Sequence, residues 1–134
     1  MIPSIITGEF FEDNRGKLTY NNSFNASSIK RIYIIENYNL DVERGWQGHK
    51  IEQRWILATN GSFKIRVIHI DFFEKSNSDK QSFEFILDSK IMNVLHVPSG
   101  YLTAIKSLEL NSKLLLMSDF MLNEINDEVR YPII

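Results

Sequence analysis

Short runs of apolar, β-branched and aromatic residues recur along this chain, and polar turn sequences separate them. Each run is shorter than the roughly 10–12 residues of an ordinary helix, and residues of these types favour strands. Many short strands with turns between them are typical of a β-sandwich or a β-barrel. We therefore predict an all-β domain, with strands over residues 5–11, 17–20, 31–35, 52–59, 62–70, 82–87, 91–97, 102–108 and 113–117.

Two turn sequences predict hairpins. Asn60 and Gly61 fit a two-residue type I′ turn, in which both central residues need positive φ, and strand-like runs flank them. The sequence Asp13-Asn14-Arg15-Gly16 is a second turn and predicts an N-terminal hairpin. Closing the sheet into a barrel would remove the exposed strand edges that invite aggregation.

Two segments depart from the strand pattern. Residues 71–81 are mostly polar and have no apolar period, so we predict an exposed connection there. In the C-terminal tail, residues 121–130, the spacing of Leu122, Ile125 and Val129 favours a short helix with one apolar stripe.

Composition limits the classes of function. The 134 residues form one domain, 1–134, which is long enough to bury about two thirds of its unfolded surface. The formal charge is −2 and no basic block is present, which argues against a nucleic-acid partner. Cysteine is absent, so disulfides and thiolate metal sites are excluded. No run approaches the roughly 18 apolar residues of a membrane span, so we expect a cytoplasmic protein with no membrane partner.

The segment from Arg44 to Lys50 predicts a site. Strict alternation along a strand places Arg44 and Trp46 on one face, and Gln47 and His49 on the other. A polar pair that points into a barrel must meet a ligand, water or another polar group. His49 is the only histidine of this segment and can exchange a proton near neutral pH. The alternatives from sequence are a structural histidine inside the barrel and a solvated arginine at the strand end.

Several short motifs, taken in order, give a resemblance. They are Phe11-x-Asp13-x-Arg15-Gly16, Lys30-Arg31-Ile32-Tyr33, Arg44-Gly45, Gly61, Pro98-Ser99-Gly100 and Ser118-Asp119-Phe120 followed by Arg130. The chain resembles the small cupin, or jelly-roll, enzymes that act on nucleotide-linked keto-sugars: the dTDP-sugar 3,4-ketoisomerases and, more distantly, the dTDP-4-dehydrorhamnose 3,5-epimerases. The resemblance implies a cupin β-barrel.

The resemblance also implies an activity without a cofactor. Cupins usually hold a metal through four positions that read Gln47, His49, Arg54 and Thr103 here, and one histidine cannot satisfy such a site. We therefore expect a metal-independent 3,4-ketoisomerase for a dTDP-4-keto-6-deoxyhexose in bacterial surface-glycan synthesis. Gln47 replaces the first histidine of the ketoisomerase motif and the base of the epimerases, and Ile34 replaces a second tyrosine. A binding module without catalysis and a 3,5-epimerase therefore remain alternatives.

The resemblance assigns roles to individual residues. His49 is the expected base, and Tyr33 or Tyr101 would complete proton transfer. Arg44 and Gln47 would stabilise the enediolate. Arg31 is a further expected substrate-binding residue. Arg15 lies in an N-terminal hairpin that implies a homodimer through the N-terminal strands, with nucleotide binding across subunits.

Overall fold

Twelve strands and one short helix make up the part of the chain that the computed structural model describes, residues 1–75 and 81–133. The strands are β1 (Ser4–Ile6), β2 (Glu9–Asp13), β3 (Gly16–Tyr20), β4 (Arg31–Ile35), β5 (Glu43–His49), β6 (Arg54–Asn60), β7 (Ser62–His69), β8 (Ser82–Asp88), β9 (Val94–Val97), β10 (Tyr101–Ser107), β11 (Lys113–Ser118) and β12 (Glu128–Arg130). The helix α1 (Asp71–Glu74) follows β7. No helix in these ranges is long and apolar enough to cross a membrane.

The strands form two five-stranded sheets and a separate ribbon. One sheet has the order β1-β9-β6-β11-β4, and the other has the order β12-β5-β10-β7-β8. The ribbon pairs β2 with β3. All described pairings are antiparallel. The predicted all-β jelly roll is confirmed, but its two sheets are not closed into one continuous barrel.

The main core lies between the two sheets. Phe63, Ile65 and Val67 alternate along β7 and are fully buried, as are Ile56 on β6 and Leu116 on β11. These residues belong to one contact cluster that draws on both sheets. Period-2 burial of this kind is what a strand with one core face requires.

The Asn60-Gly61 turn does not form the predicted hairpin. β6 and β7 follow one another in sequence but lie in different sheets, so the turn is a corner between the sheets. Gly61 has a φ of +68°, whereas Asn60 keeps an ordinary backbone and pairs with Lys113 of β11. The type I′ prediction is wrong because the strands on either side bond to distant partners.

The N-terminal hairpin is confirmed with different bounds. β2 and β3 pair from Glu9↔Tyr20 to Asp13↔Gly16. The residues before them form β1, which pairs with β9 of the same chain.

The C-terminal tail is not helical. It makes turns after Ser118 and ends in β12, which pairs with β5. The predicted apolar stripe does not form one buried face, since Leu122 is 67% exposed whereas Val129 packs against the cluster of Trp46. Strand pairing with β5 and the hydrogen bonds of Asp127 stabilise an extended tail more than the weak apolar spacing would stabilise a helix. The predicted exposed connection over 71–81 begins with the short helix α1, which contains no buried residue; residues 76–80 lie outside the described residues.

Candidate active site

β5 carries the predicted site residues and contains a β-bulge. In its pairing with β10, Gln47 lies opposite Thr103 and Arg44 lies opposite Ile105. Two residues of β5 therefore face one residue of β10 between these pairs. A bulge of this type interrupts the alternation of side chains and re-aims them.

The bulge brings Arg44 to the inner face. Arg44 and Gln47 line the same cavity between the sheets, whereas Trp46 is buried on the other side against Phe73. The prediction that Arg44 shares a face with Trp46 is therefore wrong, because it assumed an unbroken strand. The prediction that Gln47 and His49 point the same way is confirmed, since both line one cavity.

Gly45 makes the bulge possible. Its φ is +142°, a value that side chains with a Cβ rarely adopt, and a Cβ built there would lie 2.2 Å from the carbonyl oxygen of Thr103. The backbone of β5 thus approaches β10 more closely than any other residue type allows.

The His49 ring lies between two carboxylates. Its Nδ1 is 2.9 Å from Oδ1 of Asp127, and its Nε2 is 3.1 Å from Oε2 of Glu52. All three side chains are largely buried. Because a neutral imidazole carries a single N–H, it can donate to only one of these two carboxylates.

Asp127 anchors the tail to the loop after β5. Its Oδ2 accepts hydrogen bonds from the backbone amides of Ile51 (2.8 Å) and Glu52 (2.7 Å). Burial raises the pKa of Asp127, but the hydrogen bonds from Glu52, His49 and Ile51 outweigh burial and hold that pKa below its ordinary value. Asp127 is therefore ionised at neutral pH and favours the His49 tautomer with a proton on Nδ1.

Glu52 is the other neighbour of His49. Its side chain is 6% exposed. Oε2 lies close enough to Nε2 of His49 for an ion pair, but the two atoms lack hydrogen-bond alignment, so this oxygen has no donor within the described chain. A buried carboxylate oxygen left in this way is costly unless a proton or a ligand satisfies it.

Two adjoining cavities lie beside β4 and β5, and His49 lines the first of them. One, of about 300 Å³, has Glu52 and His49 in its wall, and the other, of about 260 Å³, has Arg44 and Thr103. Tyr33, Gln47 and Arg130 line both cavities. The space is of the size that ligand pockets commonly have.

Basic and aromatic side chains from β4 face these cavities. The Arg31 guanidinium lies 4.6 Å from the centre of the Tyr33 ring, and its Nε is buried without a hydrogen-bond partner in the described part of the chain.

On β5, Arg44 donates from Nε to Oδ1 of Asn37 (3.0 Å). Its remaining guanidinium donors favour an anionic or oxygen-rich ligand.

The Gln47 amide is held by the tail. Its Nε2 donates to Oε1 of Glu128 (2.8 Å), and Glu128 also forms an ion pair with Arg130. Arg54 spans the floor of the cavity and donates to the carbonyl oxygen of Gln47 (3.2 Å) and to Oγ1 of Thr103 (3.3 Å).

Two predicted site residues, Tyr101 and Arg15, lie away from this group. Tyr101 is buried in the main core, where its ring meets that of His69 edge-on, and burial raises the pKa of its hydroxyl. It does not line the two cavities. Arg15 is 82% exposed at the tip of the β2–β3 ribbon and pairs with Asp13 at 2.7 Å. The structure of the single chain therefore brings together His49, Tyr33, Arg44, Arg31 and Gln47, but neither Tyr101 nor Arg15.

Three residues of the site were missed in the sequence. The sequence predicts that the acidic residues near the chain end, Glu124, Asp127 and Glu128, form a solvated face; this prediction is wrong for Asp127, which is buried. Glu52 belongs to no motif, and Arg130 is quoted only as the residue that follows the Ser118-Asp119-Phe120 motif, with no predicted site role. Glu52 follows His49 by three residues, which is only a weak pattern in a sequence. The pairing of β12 with β5, which brings Asp127 and Arg130 to the site, cannot be inferred from the spacing of residues.

Metal binding requires convergent ligands. Within residues 1–75 and 81–133, no three His, Cys, Asp or Glu side chains are arranged to hold a metal ion. The His49 ring separates Glu52 from Asp127 instead of sharing a common centre with them.

The sequence matches one known protein family over nearly its whole length. The model of the family described as WxcM-like, C-terminal (FdtA) matches residues 2–131. The chain belongs to this family. No curated protein matches this FdtA-family chain by sequence.

Solved structures with the same fold include sugar isomerases and an epimerase. A 3,4-ketoisomerase from Helicobacter canadensis is 24% identical, with a TM-score of 0.73 over 98% of this chain and 92% of the other. The ketoisomerase QdtA from Thermoanaerobacterium thermosaccharolyticum is 22% identical, with a TM-score of 0.73 over 96% and 87% of the two chains; it was crystallised as a histidine-to-asparagine mutant with TDP-4-keto-6-deoxyglucose.

The dTDP-4-dehydrorhamnose 3,5-epimerase from Bacillus anthracis, bound to TDP and PPi, is 18% identical, with a TM-score of 0.73 over 89% and 73% of the two chains. At these identities the similarity establishes the fold of the FdtA-family chain. The resemblance predicted from the sequence motifs is confirmed.

Proposed function

We propose that this FdtA-family protein is a nucleotide-sugar 3,4-ketoisomerase that acts on a dTDP-4-keto-6-deoxyhexose. The observation that carries the proposal is the buried contact of His49 with Asp127 in the wall of the cavity. Moving a ketone from C4 to C3 requires a base for the C3 proton and donors for the oxyanion that develops. The solved QdtA ketoisomerase, whose fold the chain shares, was crystallised with such a keto-sugar.

The side chains of the cavity fit the steps of this reaction. His49, oriented by Asp127, removes the proton from C3 and returns it to C4. Arg44 and Gln47 stabilise the enediolate from β5, while Tyr33 lies across the same space on β4. Arg31, with an unsatisfied Nε, is suited to a phosphate oxygen of the nucleotide.

Epimerisation at C3 and C5 is the second candidate. The shared fold with the Bacillus anthracis epimerase favours it, but Gln47 cannot act as a base. One experiment separates the candidates: the protein is incubated with dTDP-4-keto-6-deoxyglucose in deuterated water and the sugar is followed by NMR. Deuterium at C3 or C4 with a moved carbonyl supports the ketoisomerase. Exchange at C3 and C5 with a fixed carbonyl means an epimerase, and binding without exchange means a module without catalysis.

A further inference from the structure

Glu52 has no role in the reaction as described so far, yet it borders the cavity. It is buried, and its Oε2 is 3.1 Å from Nε2 of His49 without a hydrogen-bond donor in the described residues. Both ring nitrogens of His49 thus face carboxylates. Asp127 is fixed by two backbone amides, whereas no backbone donor in residues 1–75 and 81–133 holds Oε2 of Glu52. Oε2 is therefore the oxygen of this cluster that is left without a hydrogen-bond donor in the described residues.

The proposed reaction moves two different protons. One leaves C3 and arrives at C4, and the other leaves the C3 hydroxyl and arrives at the oxygen on C4. A single imidazole that carries the carbon-bound proton cannot hold the hydroxyl proton on the same atom. Gln47 cannot supply a second proton acceptor. Tyr33 and Glu52 both line the cavity, and Glu52 is the one that lies against His49, with Oε2 3.1 Å from Nε2.

We infer that Glu52 transfers the hydroxyl proton while His49 transfers the carbon-bound proton; this inference rests on the proposed ketoisomerase function. A carbon-bound proton and the hydroxyl proton of the same carbon are near neighbours in the sugar. The two atoms that would accept these protons, Nε2 of His49 and Oε2 of Glu52, are 3.1 Å apart. This distance is similar to the distance between the two protons in the sugar. Bound sugar also supplies the donor that Oε2 lacks.

The transfer of the carbon-bound proton and the transfer of the hydroxyl proton together account for every bond that breaks and forms. The C3–H bond breaks, its electron pair forms the C3=C4 bond of the enediolate, the C4 carbonyl electrons move to oxygen, and the proton goes to His49. The O3–H bond then breaks, its proton goes to Glu52, and the C3 carbonyl forms as C4 takes the proton from His49. Glu52 finally protonates the oxygen on C4. No oxidant or reductant is consumed.

Glu52→Gln tests this role, because it keeps the shape of the side chain and removes its proton capacity. In deuterated water we expect the variant to exchange the C3 proton at close to the wild-type rate, while migration of the carbonyl falls by about 10²–10⁴-fold. Glu84→Gln is the matched control; Glu84 is an exposed residue that pairs with Lys64, and both rates should stay at the wild-type value. A purely structural role for Glu52 would lower exchange and migration together.

The outcomes separate this inference from the function on which it rests. If the wild type isomerises and Glu52→Gln loses exchange and migration equally, or loses neither, the role of Glu52 is refuted and the ketoisomerase stands. If the wild type neither exchanges nor isomerises, both are refuted. Should Glu52→Gln fail to fold, Glu52→Asp retains a carboxyl group and replaces it: migration is expected to fall more than exchange, and an equal fall overturns the inference.

Discussion

At the scale of single residues, the environment of His49 decides what its ring can do. Asp127 is ionised and immobilised by the amides of Ile51 and Glu52. It therefore fixes one ring nitrogen as a donor and leaves Nε2 as the atom that can accept a proton. His96 differs, because it stacks on Trp55 outside the cavities and burial lowers its pKa, with only a partial offset from Asp119.

Replacing His49 with Asn tests the base. We expect turnover of the keto-sugar to fall by about two to four orders of magnitude, while the dissociation constant of the substrate measured by calorimetry changes little, since the new side chain is also polar. His96→Asn is the control and should isomerise at close to the wild-type rate. A His49→Asn protein with wild-type turnover would place the base elsewhere.

Asp127→Asn tests the anchor through stability and pH. The folded-state pKa of Asp127 is lowered, so its carboxylate stabilises the fold above the unfolded pKa, near 3.9, and this contribution is lost as the pH falls through the folded pKa. We expect the variant to lose about 1–3 kcal/mol of unfolding free energy at pH 7 in urea denaturation, and the difference from the wild type to shrink below about pH 4.

Asp13→Asn is the matched control for this measurement. The pKa of Asp13 is also lowered, by its hydrogen bonds to Arg15, but that pair is exposed and screened by solvent. Its replacement should change the unfolding free energy much less than that of Asp127. Equal effects at the two positions would contradict a special role for the buried anchor.

At the scale of elements, local sequence predicts which segments are strands but not their partners. β4 and β8 were predicted within one residue of their observed bounds, because alternation and β-branched residues are local properties. β7 pairs with β10, more than thirty residues away in sequence, and with β8, but not with the adjacent β6. The Asn60-Gly61 corner and the bulge in β5 follow from such distant pairings, so the spacing of residues cannot give them.

Gly45→Ala tests the bulge of β5. The new Cβ would overlap the carbonyl oxygen of Thr103, and the backbone at φ +142° is unfavourable for alanine. Gly16→Ala has the same φ with no atom within 4 Å of its Cβ, so it carries the conformational cost alone, about 1 kcal/mol. We expect Gly45→Ala to lose about 1–3 kcal/mol more than Gly16→Ala in denaturant unfolding. If the two variants lost the same unfolding free energy, the close approach of β5 to β10 at Gly45 would not contribute to stability.

At the scale of the whole molecule, the site draws on segments that are far apart in the chain. Tyr33 comes from β4, His49 from β5, Glu52 from the loop after it, and Asp127 from the tail. The sequence identified His49 and Gln47 because they share one short motif. It did not identify Glu52 and Asp127, since a carboxylate is usually a surface residue and only the packed fold shows that these two flank the same ring.

The β2–β3 ribbon has few contacts with the rest of the described chain. It pairs with neither five-stranded sheet, and Phe10, Phe11 and Leu18 are each more than half exposed on it. The ammonium of Lys17 reaches the carbonyl oxygen of Lys90 and ties the ribbon to the body of the protein. An isolated two-stranded ribbon is marginal in water. The cross-strand pair Phe11 and Leu18 leaves exposed apolar surface on one face of the ribbon, which is typical of a surface that a partner covers.

We therefore expect a homodimer in which the ribbon packs against a second copy of the chain. Leu18→Glu places a charge in the contact and should convert the dimer into a monomer at micromolar concentration, as measured by light scattering. Leu110→Glu is the control, because Leu110 is as exposed in the turn after β10 (65% against 61%) but lies outside the ribbon. Arg15 lies at the ribbon tip and does not line the two cavities beside His49 and Arg44. If the tip completes the site of the neighbouring subunit, dissociation should also weaken nucleotide binding. A wild-type protein that scatters as a monomer, or a Leu18→Glu variant that remains a dimer, would refute this assembly.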